Sequence, residues 1–234
     1  MNAIIDTHQL TIRYGDKAIA SEINVDVPAG SFYAILGENG AGKTTFVKTL
    51  IGKHHNYVGN LKVNTQAIGF VPQFRDISRD YPLSIAEFVG LAFNRGWHLF
   101  NNQLEKSAIH DALKKMDLVD IADQRLGLVS GGQRQRAFVA QALVKRPELL
   151  ILDESTASLD HEHKIQLLTT IVRLQKETGL TVLFITHELN LVADFADGFL
   201  LFANGSVTQG NAQALKKLTV DMTVTHPENE VHHV

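Results

Sequence analysis

The sequence contains no cysteine among its 234 residues, which excludes a disulfide framework and any thiolate chemistry. It has no surplus of basic charge. Its 22 Lys+Arg stand against 25 Asp+Glu, a formal net charge of −3, so composition gives no support to nucleic acid as a partner. No apolar run approaches the roughly 18 residues that a membrane span needs, so any membrane association is expected to come through another subunit. The opening MNAIIDTHQL carries Asp6 and lacks both a basic start and a long apolar core, so it does not read as a secretion signal. Hydrophobic content of 44% and charged content of 20% are those of an ordinary globular chain, long enough for one large domain or a domain with a lobe.

The chain's strongest signal is GENGAGKTT, Gly37, Glu38, Asn39, Gly40, Ala41, Gly42, Lys43, Thr44 and Thr45. It fits the phosphate-cradling pattern G-x-x-x-x-G-K-[ST]. A nucleotide's phosphates need several donors within a small radius. Glycines let successive backbone N–H groups turn inward, and a helix starting near Gly42 adds its unpaired N–H groups and positive dipole end. Lys43 would bridge β- and γ-oxygens, and the Thr44 hydroxyl would hold Mg²⁺. The context agrees: SFYAIL (31–36) reads as a buried strand, and TTFVKTLIG reads as a helix ending at Gly52.

Strand and helix signals alternate through the rest. Leu10 to Tyr14 and the alternation of Ile23, Val25 and Val27 predict antiparallel strands, and short strands are expected over 57–63 and 67–71. Ser84–Glu87 is a capping box that opens a helix, and Leu104, Ala108, Leu113 and Met116 suggest a second over 102–116. Ser130 can cap a third, ended by Pro147. LLIL (149–152) reads as a buried strand, Asp160 as the cap of a long helix stopping at Gly179, and 181–185 as another strand. Asn204-Gly205 marks a hairpin, and Asn211 is expected to cap a short helix through Leu218, followed by a tail.

Two further stretches carry chemistry. LLILDE puts Asp153 and Glu154 just beyond a buried strand; one carboxylate could hold a metal and the next could orient and deprotonate water. VSGGQ, with Ser130, Gly131, Gly132 and Gln133, offers a hydroxyl, bare N–H groups and a helix start, a second anion-binding device. An ordinary Ser-capped helix is the alternative.

GENGAGKT, Gln73, VSGGQ, LLILDE, Ser158-Leu159-Asp160 and His187 occur in the order seen in ATP-binding cassette (ABC) transporter ATPase subunits, which the chain resembles from about Leu10 to Leu218. The resemblance implies an α/β fold: a P-loop NTPase core with an N-terminal antiparallel β subdomain and an inserted α-helical subdomain. Residues 1–74 and 147–218 would form the core, 75–146 the helical subdomain and 219–234 a tail. It implies ATP hydrolysis with Mg²⁺ held by Thr44, Gln73 and Asp153, and Glu154, His187, Gln73 and Lys43 as the catalytic set. Tyr14 resembles the residue that stacks on adenine, against the alternative of a half-exposed strand tyrosine. Ser130, Gly131, Gly132 and Gln133 resemble the signature that contacts the opposite subunit's ATP. Asp160 resembles the residue that bridges the two sites, and can be a helix cap as well. Val129 stands where the family usually has Leu, and Ser155 where Pro commonly follows the glutamate.

The implied partners are a transmembrane permease, a second copy in a head-to-tail dimer and a solute-binding protein, with no nucleic acid. The implied place is the cytoplasmic side of the cell membrane, peripheral via the permease. The segment IGFVPQFRDISRDYPLSIAEFVGLAF resembles the subfamily serving manganese, zinc or iron importers, through Asp76 or Asp80, Tyr81-Pro82 and the Ile85, Phe88, Val89 helix start. A siderophore, haem or other solute transporter is the alternative, as is a non-transport ABC ATPase that signals through a membrane partner. His226, His232 and His233, with Glu228 and Glu230, offer metal-binding side chains near the C-terminus but lack the spacing of a closed tetrahedral site.

Overall fold

The computed structural model describes residues 2–73, 77–93, 102–153 and 160–225. The chain begins with two long strands, β1 (Ala3–Tyr14) and β2 (Lys17–Pro28), joined at Gly15-Asp16. β3 (Phe32–Gly37) then runs into the phosphate loop and α1 (Lys43–Leu50), and β4 (Tyr57–Val63) returns to pair with β1, giving an antiparallel sheet of order β2-β1-β4. β1 is longer than its alternation predicts because its phase slips. Thr7 and Leu10 both face inward across a register shift, with Gln9 at φ 49°. The buried Thr7 hydroxyl mends the irregularity, donating to the Ile23 carbonyl (3.0 Å) and accepting from the Val25 N–H (3.1 Å). A bulge of this kind removes the strict period of two on which a strand is recognised in sequence.

The second sheet combines β5 (Ile68–Val71), β6 (Leu149–Asp153), β7 (Thr181–Ile185), β8 (Gly198–Ala203) and β9 (Ser206–Asn211) with β3, in the order β5-β6-β7-β3-β8-β9. All neighbours are parallel except β8 and β9. Asn204 and Gly205 both have positive φ, as the tight β8–β9 hairpin requires. The central strands read as unbroken apolar runs because both faces are covered. Leu150 and Leu152 face one core with the helices, whereas Leu149 and Ile151 face a second core with α1 and the antiparallel sheet.

Between β5 and β6 the chain forms α2 (Ile85–Gly90), α3 (Gln103–Lys115), a 3₁₀ turn (Val119–Ile121) and α4 (Gly131–Leu143). Each α-helix opens on a complete capping box: Ser84 with Glu87, Asn102 with Glu105, Ser130 with Gln133. One expectation for α3 fails. Leu104 is 82% exposed, and the face turned inward is Ile109, Ala112 and Leu113, leading to Met116. α5 (His161–Thr178), capped by Asp160 and closed by Gly179 at φ 70°, lays Leu167, Leu168, Ile171 and Leu174 on the same core.

The short α6 (Leu189–Val192) follows β7, and α7 (Ala212–Thr225) follows β9. α7 extends past the expected stop at Leu218. No glycine or proline interrupts the chain between Asn211 and Pro227, and Leu215 anchors the helix in the core. No helix among the described residues is long and apolar enough to cross a membrane.

Candidate functional site

The loop from β3 to α1 is shaped by two glycines. Gly37 has φ 140°, and a Cβ there would stand 2.4 Å from the Phe202 carbonyl oxygen on β8. Gly42, the N-cap of α1, has φ 103°, and its Cβ would stand 2.5 Å from the Ile19 side chain. No side chain caps α1, so its first N–H groups remain available to an anion. The Lys43 side chain is buried, and its ammonium donates to the Gly37 and Glu38 carbonyls at 2.8 and 2.9 Å, drawing the loop into a ring. The Ala41 N–H closes the turn on the Glu38 carbonyl at 3.2 Å. The result is a cavity of about 310 Å³ lined by Asn39, Gly40, Gly42, Lys43, Thr44 and Thr45 of the loop, with Gln73 and Ile19. Ile19 was not legible as a site residue: its apolar side chain follows an ordinary strand pattern, and only the fold sets it over Gly42.

The strand order brings the ends of β6 and β7 to the same edge. β6, β7 and β3 are neighbours, with Asp153 paired to Ile185 and Ile185 to Ile35. Asp153 therefore ends its strand beside the loop. It is 5% exposed, and its carboxylate accepts from the Thr44 hydroxyl at 3.4 Å. A buried carboxylate next to a hydroxyl is an all-oxygen donor set of the kind a hard divalent cation such as Mg²⁺ takes, so the residues present fit that ion. Gln73 follows β5, and the exposed His187 follows β7. Glu154 lies outside the described residues, as does Ser155. Tyr14 ends β1, 75% exposed and apart from the residues that line the cavity.

The signature turn is elsewhere. None of Ser130, Gly131, Gly132 or Gln133 lines the cavity. Ser130 accepts from the Gln133 N–H (3.2 Å), and the Gln133 side chain accepts from the Ser130 N–H (2.9 Å), so the turn is held by its own cap. A Cβ at Gly131 would meet nothing within 4 Å, whereas one at Gly132 would lie 2.9 Å from the His163 ring. His163 Nδ1 in turn stands 2.7 and 2.8 Å from the two Asp160 carboxylate oxygens. The Asp160 carboxyl is held below its ordinary value of 3.8 by the His163 backbone N–H and then by the His163 side chain. Val129 is buried, so the smaller side chain in place of Leu is a core anchor. Neither His163 nor Lys164, whose ammonium donates to Glu188 beside His187 at 2.6 Å, carried a motif that sequence reasoning could use.

Comparison with known proteins agrees with this geometry. The ABC transporter family matches residues 20–157. The chain is 32% identical to an iron(3+)-hydroxamate import ATP-binding protein of Bacillus subtilis over 95% of this chain and 86% of that one. It is 32% identical to a zinc uptake system ATP-binding protein of Listeria innocua over 94% and 91%. It is 29% identical to a spermidine/putrescine import ATP-binding protein of Legionella pneumophila over 94% and 63%. Among solved structures, cbiO1 of Clostridium perfringens, part of the ABC transporter complex cbiONQ, superposes with a TM-score of 0.80 at 26% identity, covering 97% of each chain. A loop built to cradle phosphates, a buried carboxylate beside its threonine and a family match over more than half the chain lead to one conclusion: the chain belongs to the ABC transporter family, as an ATP-binding subunit that hydrolyses ATP to power transport.

Proposed function

We propose that this ATPase drives import of a divalent metal ion, manganese, zinc or iron, through a separate transmembrane permease fed by a solute-binding protein. It works at the cytoplasmic face of the membrane as a head-to-tail pair of copies. The observation that carries the paired reading is the separation of the two anion-binding devices. The Gly37–Thr45 loop forms a cavity without the signature turn, which leaves Ser130 exposed and open space beside Gly131 for a phosphate bound elsewhere. Two copies facing each other would complete two sites at once, and a γ-phosphate that binds the closed pair best would favour closure.

Each residue then has a task. Backbone N–H groups of the loop and Lys43 bind and neutralise the phosphates, and Tyr14 offers its exposed ring to the adenine. Thr44, Asp153 and Gln73 would hold Mg²⁺, which offsets charge on the β- and γ-oxygens when bound. Glu154 orients the attacking water and takes its proton. His187 donates to a γ-phosphate oxygen and so senses whether that phosphate is present. Ser130, Gly131, Gly132 and Gln133 supply donors to the opposite copy's nucleotide, and Asp160 lies between the two sites.

The resemblance of residues 68–93 to manganese, zinc and iron importers supports the metal reading, together with the zinc-uptake relative. The iron(3+)-hydroxamate relative favours a second reading, import of an iron chelate. Total cellular metal, measured by elemental mass spectrometry under metal limitation, tests both. Cells carrying Glu154→Gln at equal protein level are expected to lose manganese, zinc or iron, and the ion lost names the cargo. Loss of iron alone would send the question to chelated against free iron in an uptake assay. Unchanged metal content, with ATPase activity shown to be lost, would overturn the metal assignment.

A further inference from the structure

Two consecutive residues in the first turn of α5 touch the motifs that serve opposite nucleotides. The His163 ring lies against Gly132 of the signature turn, close enough that no side chain fits at position 132 without displacing the imidazole. The same ring faces the Asp160 carboxylate through Nδ1. A carboxylate only accepts, so Nδ1 carries a proton and donates to it. One residue on, Lys164 turns the other way. Its ammonium meets Glu188 at 2.6 Å, with the two side chains only 13% and 28% exposed. The Glu188 N–H donates to the Thr186 hydroxyl at 3.0 Å, and the Thr186 N–H donates to the Ile35 carbonyl on β3 at 3.1 Å. His187 is therefore bracketed between two residues tied to α5 and to β3.

We propose that the first turn of α5 is a coupling element: His163 is a positioning residue for Asp160 and the signature turn, and Lys164 is a positioning residue for the His187 loop. The inference rests on the reading of Asp160 and His187 given above. A change in the signature turn when it meets a partner's phosphate reaches Asp160 through one imidazole. The adjoining lysine carries it to the group that faces the chain's own γ-phosphate. The Lys164–Glu188 pair, 13% and 28% exposed, leaves its two side chains few alternative arrangements, so a displacement of one moves the other.

The full-length protein tests this with His163→Ala, His163→Asn, Lys164→Met, Lys164→Arg and Asp160→Asn. Readouts are kcat, KM for MgATP, MgADP affinity by calorimetry and thermal melting. His163→Ala and Lys164→Met are expected to lower kcat by about tenfold, since small misplacements near a reacting centre are costly. MgADP affinity should stay within about twofold, because neither side chain lines the cavity. His163→Asn, which keeps a donor where Nδ1 stood, and Lys164→Arg should recover most of the rate. His163→Ala in an Asp160→Asn background should add little, as expected for groups acting as one unit. If Asp160→Asn leaves the rate unchanged, the reading of Asp160 fails and this inference with it. If Asp160→Asn is slow while His163→Ala and Lys164→Met run at the wild-type rate, the inference alone is overturned. Loss of rate that follows melting temperature, with no recovery in Asn or Arg, would also overturn it and assign both residues to stability.

Discussion

The phosphate loop and the signature turn are both glycine-rich approaches to a helix N-terminus, yet they are built in opposite ways. The phosphate loop is enclosed: Lys43 and Asp153 are buried, Gly37 presses on β8, and Gly42 presses on β2. The signature turn is open: Ser130 is exposed, a Cβ at Gly131 would meet nothing within 4 Å, and its capping box is satisfied within the turn. The first region is built within one chain, from the loop itself with Ile19 of β2 and Gln73 after β5. The second lies outside that cavity, and in the proposed pair its ligand arrives on the other copy. Similar chemistry, glycines and backbone N–H groups at a helix start, is thus set in two different surroundings.

Exchanging one donor in each region should break that likeness most sharply. Lys43→Ala is expected to lower kcat by about 10²–10³-fold, the usual cost of a preorganised electrostatic group, and to weaken MgADP binding as well. Ser130→Ala should also slow ATP turnover while leaving MgADP affinity unchanged, with Ser130→Thr as the control that keeps the cap. Calorimetry and steady-state kinetics read both; equal loss of MgADP affinity in the two variants would dissolve the distinction.

A smaller effect separates the glycines. Gly37→Ala forces a Cβ against a backbone carbonyl at φ 140° and should cost about 3 kcal/mol, read as a drop of about 6–12 °C in melting temperature. Gly131→Ala has open space in a first helical turn and should leave the melting temperature level or raised by a few degrees, while ATPase activity falls. A destabilised Gly131→Ala would show that the signature turn is more tightly enclosed than its geometry indicates.

The smallest effect concerns pH. The Asp160 carboxyl is depressed in the folded protein, so the stability it contributes is fully present above its unfolded value of 3.8 and is lost as pH falls through the lower folded value. The difference in urea midpoint between wild type and Asp160→Asn should be present at pH 5 and shrink once pH drops below about 3.8. A difference that instead vanished well above that value would remove the ionised Asp160 carboxylate from the account.

Much of this was readable in advance, for identifiable reasons. The loop, the caps of α2, α4 and α5, the Asn204-Gly205 hairpin and the buried strands β6 and β7 are local: each is decided by residues within a few positions of one another. What failed was mainly non-local. β1 hid half its length behind a bulge that its pairing with β2 stabilises, and Leu104 satisfied a helical period yet is 82% exposed, whereas the one local miss was α7, which ran on with no glycine or proline to stop it before Pro227. Ile19 and His163 became visible only as the walls against which Gly42 and Gly132 close.

By itself, then, the sequence determined which chemical groups the protein owns and the order of strands and helices that carry them, since motif spacing, caps and apolar runs act over short distances along the chain. The tertiary structure decided which of those groups meet. It placed β3 beside β7 and β7 beside β6, bringing the loop, Asp153 and the residues after Ile185 to one edge, and it left the signature turn outside the cavity. That division follows from the sheet, whose strand order depends on two-sided burial across the whole chain and is written in no single segment.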